Sequence, residues 1–319
     1  QREAYGDFSC NGSQLYFLIR DLVTVNSMYQ FSLASFMKIF KLALKSEPVD
    51  ANLPLQKRLE RLTLLIEQLV FFFIGRGLFK ADRCMFALHL VHGMHRGLFE
   101  KNEWELFIGE LAGEQVADKG RPRGLPSWAR DNHILSFSRM STHLSSLVRK
   151  LGLENTVRWR HWAQSPQCER HFPVEVAREC THFQRVLITQ CFRPDRLTSA
   201  LHTFACEILQ ISSLTPPPLN FDQLYRQETD ASSPIMLITT AGADPSRELA
   251  DFASAVVGSD RFKSLAMGGG TQNLAMSHVR QASVDGTWLC LQNLHLVITW
   301  LSALEKALIA CDPDCNFRL

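Results

Sequence analysis

Apolar residues recur every three or four positions through the first two-thirds of the chain, from about residue 31 to residue 209. This spacing predicts helices that each bury one face. The predicted buried faces are Leu33, Phe36, Phe40 and Leu44; Leu55, Leu59, Leu62, Ile66, Leu69 and Phe73; Ile134, Phe137, Met140, Leu144, Leu147 and Leu151; and Leu197, Leu201, Phe204 and Ile208. The pattern therefore predicts a mostly helical N-terminal region.

Glycine and proline indicate where several of these helices begin or end. Gly75 and Gly77 follow the second apolar group and are expected to end its helix. A further helix is predicted over 81–94, and Pro194 stands at the start of the last one, where a missing N–H is tolerated. The segment 113–126 is rich in Gly, Pro and charge, which predicts a loop.

The run Pro216-Pro217-Pro218 interrupts the helical pattern, so we predict two regions, 1–215 and 216–319. Beyond it, short apolar runs typical of buried parallel strands alternate with helical segments. The predicted strands are 235–238, 265–267 and 288–291, and the predicted helices are 247–257, 274–282 and 296–309. The fold class is therefore α/β: a helical region, then a P-loop-like three-layer module with a parallel sheet, truncated as a strand begins at 316–319.

The first strand-to-helix turn of such a module is where phosphate binds. A working loop reads GxxxxGK[ST], with a lysine for the outer phosphates and a hydroxyl for Mg²⁺. Here the turn carries Gly242, Ala243, Asp244 and Pro245, with no lysine before Arg247. Asp244 would repel phosphate and Pro245 has no N–H to donate. We expect this degenerate turn to hold no nucleotide.

The end of the third predicted strand is where this class of module places its metal-binding and catalytic carboxylates. In this chain the positions are Gln292 and Asn293. An amide cannot act as a general base and is a poor Mg²⁺ ligand. The sequence therefore predicts no catalytic residue, no bound cofactor and no metal in this segment.

Four other patterns admit both a chemical and a packing interpretation. They are the glycine run 268–270 (a phosphate nest), the histidines at 89, 92 and 95 (metal ligands), the cysteines at 311 and 315 (metal ligands), and Trp159-Arg160-His161-Trp162 (base stacking). The histidines step by three, so the third rotates off the shared helix face, and the cysteines lack a second ligand pair. In each case we favour packing or a tight turn.

Composition narrows the class of protein further. Of 319 residues, 46% are hydrophobic and 21% charged, with a net charge of +2. This balance does not indicate a nucleic-acid or membrane partner. Nine scattered cysteines without a CxxC pair favour a reducing compartment, and the longest apolar run is too short to span a bilayer, so a soluble protein is expected. The missing initial Met and the incomplete last strand suggest a fragment.

Four stretches resemble dynein heavy chains. Residues 21–33 are similar to the family's SDLxxxxxMYQFSL segment, 76–79 to its CRGLFE turn, and 183–196 to FQRLLLLRxxRPDR. Residues 242–245 and 288–296 resemble the SPGADP and WVxLQNCHL signatures of the last ring module. The order and spacing hold across almost the whole chain, with departures at Arg20, at 240–241 and at 269–270.

The resemblance implies a piece of a minus-end-directed microtubule motor. Region 1–215 would follow the core of the fifth AAA+ module, and region 216–319 would be most of the large subdomain of a non-catalytic sixth module. ATP and Mg²⁺ would bind in other modules of the parent chain, which is an ATPase. The implied partners are neighbouring AAA+ modules, intermediate and light chains, and microtubules, with no nucleic acid or membrane, in the cytoplasm, cytoskeleton and cilium.

The subtype and the role leave alternatives open. Leu294 and the residues Ala266-Met267-Gly268 favour the cytoplasmic dynein 2 type, which drives retrograde intraflagellar transport. The alternative is an axonemal heavy chain that drives ciliary beating. Besides a coupling role in the ring, the segment could be an independent nucleotide enzyme that uses the 268–270 turn, or a passive helical scaffold.

Overall fold

The structure is a computed structural model that describes residues 5–46, 54–111, 122, 124–239 and 242–319. The chain forms two compact units, unit 1 (Gln1–Pro216) and unit 2 (Pro217–Leu319). The division falls inside the proline run. The assignment of the two regions to particular AAA+ modules stays a prediction.

The regular secondary structure described in unit 1 is all helical. Its helices are α1 (Gly6–Asp21), α2 (Leu33–Ser46), α3 (Leu55–Arg76), α4 (Arg83–Met94), α5 (Lys101–Ile108), α6 (Ile134–His143), α7 (Ser145–Leu151), α8 (Thr156–Gln164), α9 (Val174–Glu179), α10 (His182–Phe192) and α11 (Leu197–Leu209). Gly77 follows the last residue of α3, as predicted. Pro194 begins a 3₁₀ turn that leads directly into α11. Of the predicted loop 113–126, all but Pro122 and 124–126 lies outside the described residues.

Large aromatic side chains fill the core of unit 1. Phe204 is 2% exposed, and its ring centroid lies 5.7 Å from that of Phe183 and 5.9 Å from that of Phe99. Trp159 and Trp162 are buried, and their indole N–H groups donate to backbone carbonyls at 3.1 Å and 2.9 Å. A buried indole needs such an acceptor. The packing interpretation is confirmed for the two tryptophans, while Arg160 and His161 between them are exposed.

In two helices the buried face is rotated about the helix axis relative to the predicted face. In α2, Leu33 and Leu44 are 53% and 45% exposed, because the buried stripe follows Phe36, Ile39 and Ala43. In α3, the seam drawn through Leu59, Leu69 and Phe73 is only half-buried, and the buried apolar side chains are Leu62, Ile66, Val70, Phe71 and Ile74. A seam stepping by 3.5 residues drifts about 20° per heptad on a straight helix.

The predicted long helix over 134–151 is broken in two. Leu144 has φ −127° and ψ 48°, which ends α6 and precedes α7. Phe137, Met140, Leu144, Leu147 and Leu151 nevertheless all stay buried. The apolar spacing was correct, but the backbone changes direction between the two halves.

Unit 2 combines helices with a small parallel sheet. Its elements are α12 (Phe221–Gln223), which continues as a π-helix (Leu224–Glu228), α13 (Ser246–Val257), β1 (Phe262–Ala266), α14 (Gln272–Asp285), β2 (Trp288–Gln292), a 3₁₀ helix (Leu294–Trp300) and α15 (Leu301–Ala310). The strands pair in parallel, from Phe262 opposite Trp288 to Ala266 opposite Gln292. The third predicted helix starts later than expected, because Val297 leaves the helical region with φ −134°.

The predicted strand at 235–238 is not formed in this structure. The Ile235 N–H donates to the Leu319 carbonyl at 2.8 Å, but Met236 and Ile238 are 65% and 90% exposed. Residue 318 makes only a single parallel bridge to Trp288. A strand needs a ladder of backbone partners, and an apolar run alone does not supply one. The described sheet therefore has two strands rather than three.

None of the helices described here is long and apolar enough to cross a lipid bilayer.

Candidate functional site

The candidate site lies at the carboxyl end of β2, beside the N-terminus of α13. Gln292 is the last residue of β2, and its carbonyl accepts the N–H of Met267, just beyond β1. In a parallel sheet, ligands bind at this edge, outside the carboxyl ends of the strands. The edge therefore carries both positions that the sequence singled out as degenerate.

The turn before α13 is closed by its own aspartate. Gly242 has φ +87°, a conformation that favours glycine. Asp244 Oδ1 accepts the backbone N–H of Ser246 at 2.9 Å, and hydrogen bonds from Ser246 hold the pKa of Asp244 below its usual range. Ala243 is exposed and Pro245 half-buried, while residues 240–241 lie outside the described part of the chain. The carboxylate is therefore ionised at neutral pH where a phosphate would bring further negative charge.

The Gln292 side chain reaches this turn. Its Nε2 donates to the Ser246 hydroxyl at 3.0 Å, although the two residues lie 46 positions apart. Asn293 is exposed and takes a left-handed backbone conformation, with φ 59° and ψ 39°. The structure thus brings Gln292 to the turn, through Ser246. For Asn293 it shows no side-chain hydrogen bond to the described residues of the turn.

The glycine run after β1 forms a tight turn. Gly268, Gly269 and Gly270 have φ values of +140°, +52° and +86°, all in the region that favours glycine. The Gly268 N–H donates to Thr271 Oγ1 at 3.1 Å, and the Thr271 hydroxyl donates to the Gly268 carbonyl at 2.8 Å. The tight-turn interpretation is confirmed, and the first N–H of the run is already occupied.

The three histidines of α4 and its C-terminus have three separate partners. His89 Nε2 lies 3.2 Å from the Leu18 carbonyl, the His92 ring stacks on Trp104 with centroids 3.7 Å apart, and His95 Nε2 lies 2.9 Å from a Glu67 carboxylate oxygen. Burial lowers the pKa of His92. They therefore do not converge on one point.

The side chains that commonly bind metals form no cluster elsewhere among the described residues. Cys311 and Cys315 are free thiols, and no group of three or more His, Cys, Asp or Glu side chains among the described residues is placed to hold a metal. Cys290 lies in β2. Burial raises the pKa of its thiol, a hydrogen bond with Ser264 opposes this, and the charge of Asp244 adds a smaller rise, so the thiol stays protonated.

Sequence reasoning missed the part played by Ser246. It follows Pro245 as the first residue of α13, and it receives one hydrogen bond at its hydroxyl and gives one from its N–H. A hydroxyl residue at the start of a helix, after a turn read as a degenerate phosphate loop, was the available signal. The contact with Gln292 itself depends on the packing of α13 beside β2.

Two comparisons with known proteins bear on this site. A family model described as the dynein heavy chain region D6 P-loop domain matches residues 230–319, which include the turn and β2. Over the whole chain, cytoplasmic dynein 2 heavy chain 1 of Tripneustes gratilla is 42% identical across 320 residues. The chain belongs to the dynein heavy chain family. The same heavy chain of Mus musculus is 42% identical across 323 residues.

This dynein segment is less similar to an axonemal relative. Dynein axonemal heavy chain 10 of Homo sapiens is 31% identical across 328 residues, against 42% for the cytoplasmic dynein 2 chains above. The segment spans 7% of the length of these relatives, and each match covers all of it. The similarity to cytoplasmic dynein 2 heavy chains therefore extends through both units.

Proposed function

We propose that this segment is a non-catalytic AAA+ part of a dynein motor ring, which transmits conformational change rather than hydrolysing ATP. The observation that carries the proposal is the position of Asp244, whose carboxylate accepts the N–H of Ser246 at the start of α13. Like charges repel, so each nearby phosphate charge would meet a repulsion here, with no lysine in the turn to offset it.

The rest of the site supports the same proposal. Mg²⁺ prefers carboxylate oxygens and water, and the end of β2 offers the amides of Gln292 and Asn293. The turn at 268–270 uses its first N–H internally, which disfavours a separate nucleotide enzyme built on that turn. ATP and Mg²⁺ would then be bound by other modules of the parent chain.

The place of the segment in the ring is part of the proposal. Region 1–215 would follow the core of the fifth AAA+ module, and region 216–319 would be most of the large subdomain of the sixth, with three layers around a parallel sheet. The family model over 230–319, which is named for a D6 P-loop domain, supports the second assignment. The continuous aromatic core of unit 1 suits a body that moves as one piece.

For the parent motor, we propose minus-end-directed movement on microtubules in retrograde intraflagellar transport, within the cytoplasm, cytoskeleton and cilium. Neighbouring AAA+ modules and the intermediate and light chains would be its partners. The higher identity to cytoplasmic dynein 2 heavy chains supports this over an axonemal role in ciliary beating. Tagged heavy chain moving along ciliary microtubules together with transport trains is the expected observation, whereas fixed decoration of the axoneme would favour the axonemal role.

The non-catalytic role can be tested with photoreactive 8-azido-ATP and a motility assay on the heavy chain that carries this segment. We expect no saturable labelling of peptides within 230–319, and unchanged ATPase activity for Asn293→Ala, which removes an exposed amide at the site. Phe204→Leu should slow motility through loosened packing in unit 1. Micromolar labelling of 242–247 would refute the nucleotide-free site from which the non-catalytic role is argued, and motility unaffected by Phe204→Leu would favour a passive scaffold.

A further inference from the structure

Two positions that hold Mg²⁺ in working P-loop modules touch each other directly in this chain. In such modules a hydroxyl at the start of the helix and a carboxylate at the end of a strand both face the metal, which joins them. Here the residue at the helix start is Ser246 and the residue at the strand end is Gln292, and their side chains are hydrogen-bonded at 3.0 Å. No third group is needed to link the two elements.

We propose that the Gln292–Ser246 hydrogen bond is a latch that holds the N-terminus of α13 at the end of β2 without nucleotide or metal. The inference rests on the proposed function, because it assumes that the site is free of nucleotide. Ser246 is held from two sides, since its hydroxyl accepts from Gln292 and its N–H donates to the Asp244 carboxylate. Gln292 and Asp244, the two residues that differ in type from those of a working site, thereby both position α13.

The latch matters because no side chain in the first turn of α13 is fully buried. Ala253 is the buried residue of this helix, and the neighbouring Phe252 ring lies 6.0 Å from that of Trp288. Both lie in the second half of the helix. In the first turn, Arg247 and Glu248 are exposed. Packing therefore anchors the far end, and the polar bond anchors the near end.

The amide also suits this edge electrostatically. A carboxylate at position 292 would stand near the ionised Asp244, and like charges without an intervening cation repel. Gln292 carries no charge and supplies an N–H that the hydroxyl of Ser246 can accept. An amide at this position is therefore compatible with both Asp244 and Ser246 when the metal is absent.

The latch can be tested by hydrogen exchange and mass spectrometry on the heavy chain that carries this segment. The variants are Gln292→Ala, Ser246→Ala and the two combined, and the readout is the exchange of the first hydrogen-bonded amides of α13, such as that of Leu249. Gln272→Ala is the matched control, since Gln272 is also half-buried and its side chain makes no hydrogen bond to the described residues.

We expect each single variant to speed this exchange by about 2- to 10-fold, as the net worth of one hydrogen bond implies. The double variant should be no faster than the faster single variant, and the control should match the wild type. Exchange in α14 serves as the check on folding, and Ser246→Ala, which removes one oxygen atom, is the milder variant. Unchanged exchange in both single variants, or independent effects that multiply in the double variant, would overturn the latch.

The proposed function is judged by the photolabelling experiment described above, because ATP bound by other modules of the heavy chain would itself change exchange in α13 if this segment transmits conformational change. Saturable labelling of 242–247 would contradict the nucleotide-free site that the latch assumes. The exchange comparison among the three variants and the wild type, made without nucleotide, decides the latch.

Discussion

The side chains of His95 and Glu67 join α3 to the end of α4 in unit 1. Glu67 is 1% exposed, and its Oε2 lies 2.9 Å from His95 Nε2, while His95 is 32% exposed. Oε1 of Glu67 is buried and has no hydrogen-bond partner among the described residues. The hydrogen bond to Glu67 raises the pKa of His95, although burial acts in the opposite direction.

The sign of the resulting pH dependence follows from this raised pKa. A histidine whose pKa is higher in the folded state binds its proton more tightly there. Its contribution is complete below the unfolded pKa of about 6.5, and it is lost as the pH rises through the higher folded pKa. The contribution of His95 to the stability of unit 1 should therefore decrease on the alkaline side of neutrality.

The size of the effect follows from what each replacement leaves behind. His95→Ala leaves the Glu67 carboxylate buried without its donor, and removing one partner of a buried ion pair costs about 3–5 kcal/mol. Because His95 is a third exposed, water can replace part of the lost bond, so we expect about 3 kcal/mol, at the lower end of that range. His95→Gln is the matched control, because the amide can still donate to Glu67 but does not titrate.

Pulsed hydrogen exchange along a urea series measures the unfolding free energy of unit 1 in the peptides of α3 and α4, separately from unit 2. The unfolding free energy of the wild type minus that of His95→Gln should fall as the pH is raised from about 6 to about 8.5. Using the difference cancels other histidines such as His133 and His202, whose pKa values burial lowers. A difference that is constant, or that grows with pH, would refute the reasoning.

Replacements at four further positions test the packing and the backbone. Phe204→Ala should lower the unfolding free energy of unit 1 by about 3–5 kcal/mol, and Phe73→Ala by clearly less because Phe73 is half-buried; equal urea midpoints would contradict this. Gly286→Ala should destabilise unit 2 by at least about 1–2 kcal/mol, since φ is +67° and the new Cβ would lie 2.5 Å from an Asp314 oxygen; an unaltered melting temperature would exclude that strain. Thr181→Ala removes the side-chain cap of α10 and should cost about 1 kcal/mol, with Thr181→Ser near wild type; a loss as large in the Ser variant would point away from capping.

The helical character of unit 1 was predictable because its apolar residues recur every three or four positions. A strand would show alternation every two positions, and a loop would show no period. The orientation of each helix was not, since a pattern that fits a period of 3.5 nearly fits 3.6. Helix α1 was missed before residue 31. It contains Gly12, where a side chain would meet the Phe40 ring at 2.7 Å, and that close approach to α2 is not visible in a one-dimensional pattern.

For the candidate site too, the sequence predicted one part, and the other part depends on the fold. The loss of charge at Gln292 and Asn293 and the gain of charge at Asp244 could be read directly from residue types. The bond from Gln292 to Ser246 could not, because it joins residues 46 positions apart and depends on how α13 lies beside β2. The strand predicted at 235–238 was wrong because apolar composition carries no information about backbone partners.

The left-handed backbone of Asn293 limits which acidic side chain its position accepts without strain. Asn adopts this conformation more readily than most residues, whereas a longer side chain such as Glu pays about 1–2 kcal/mol for it. With φ at 59°, placing a Glu at position 293 would strain the main chain, whereas Asp adopts this conformation about as readily as Asn. A glutamate at this position would therefore require the main chain after β2 to be reshaped first.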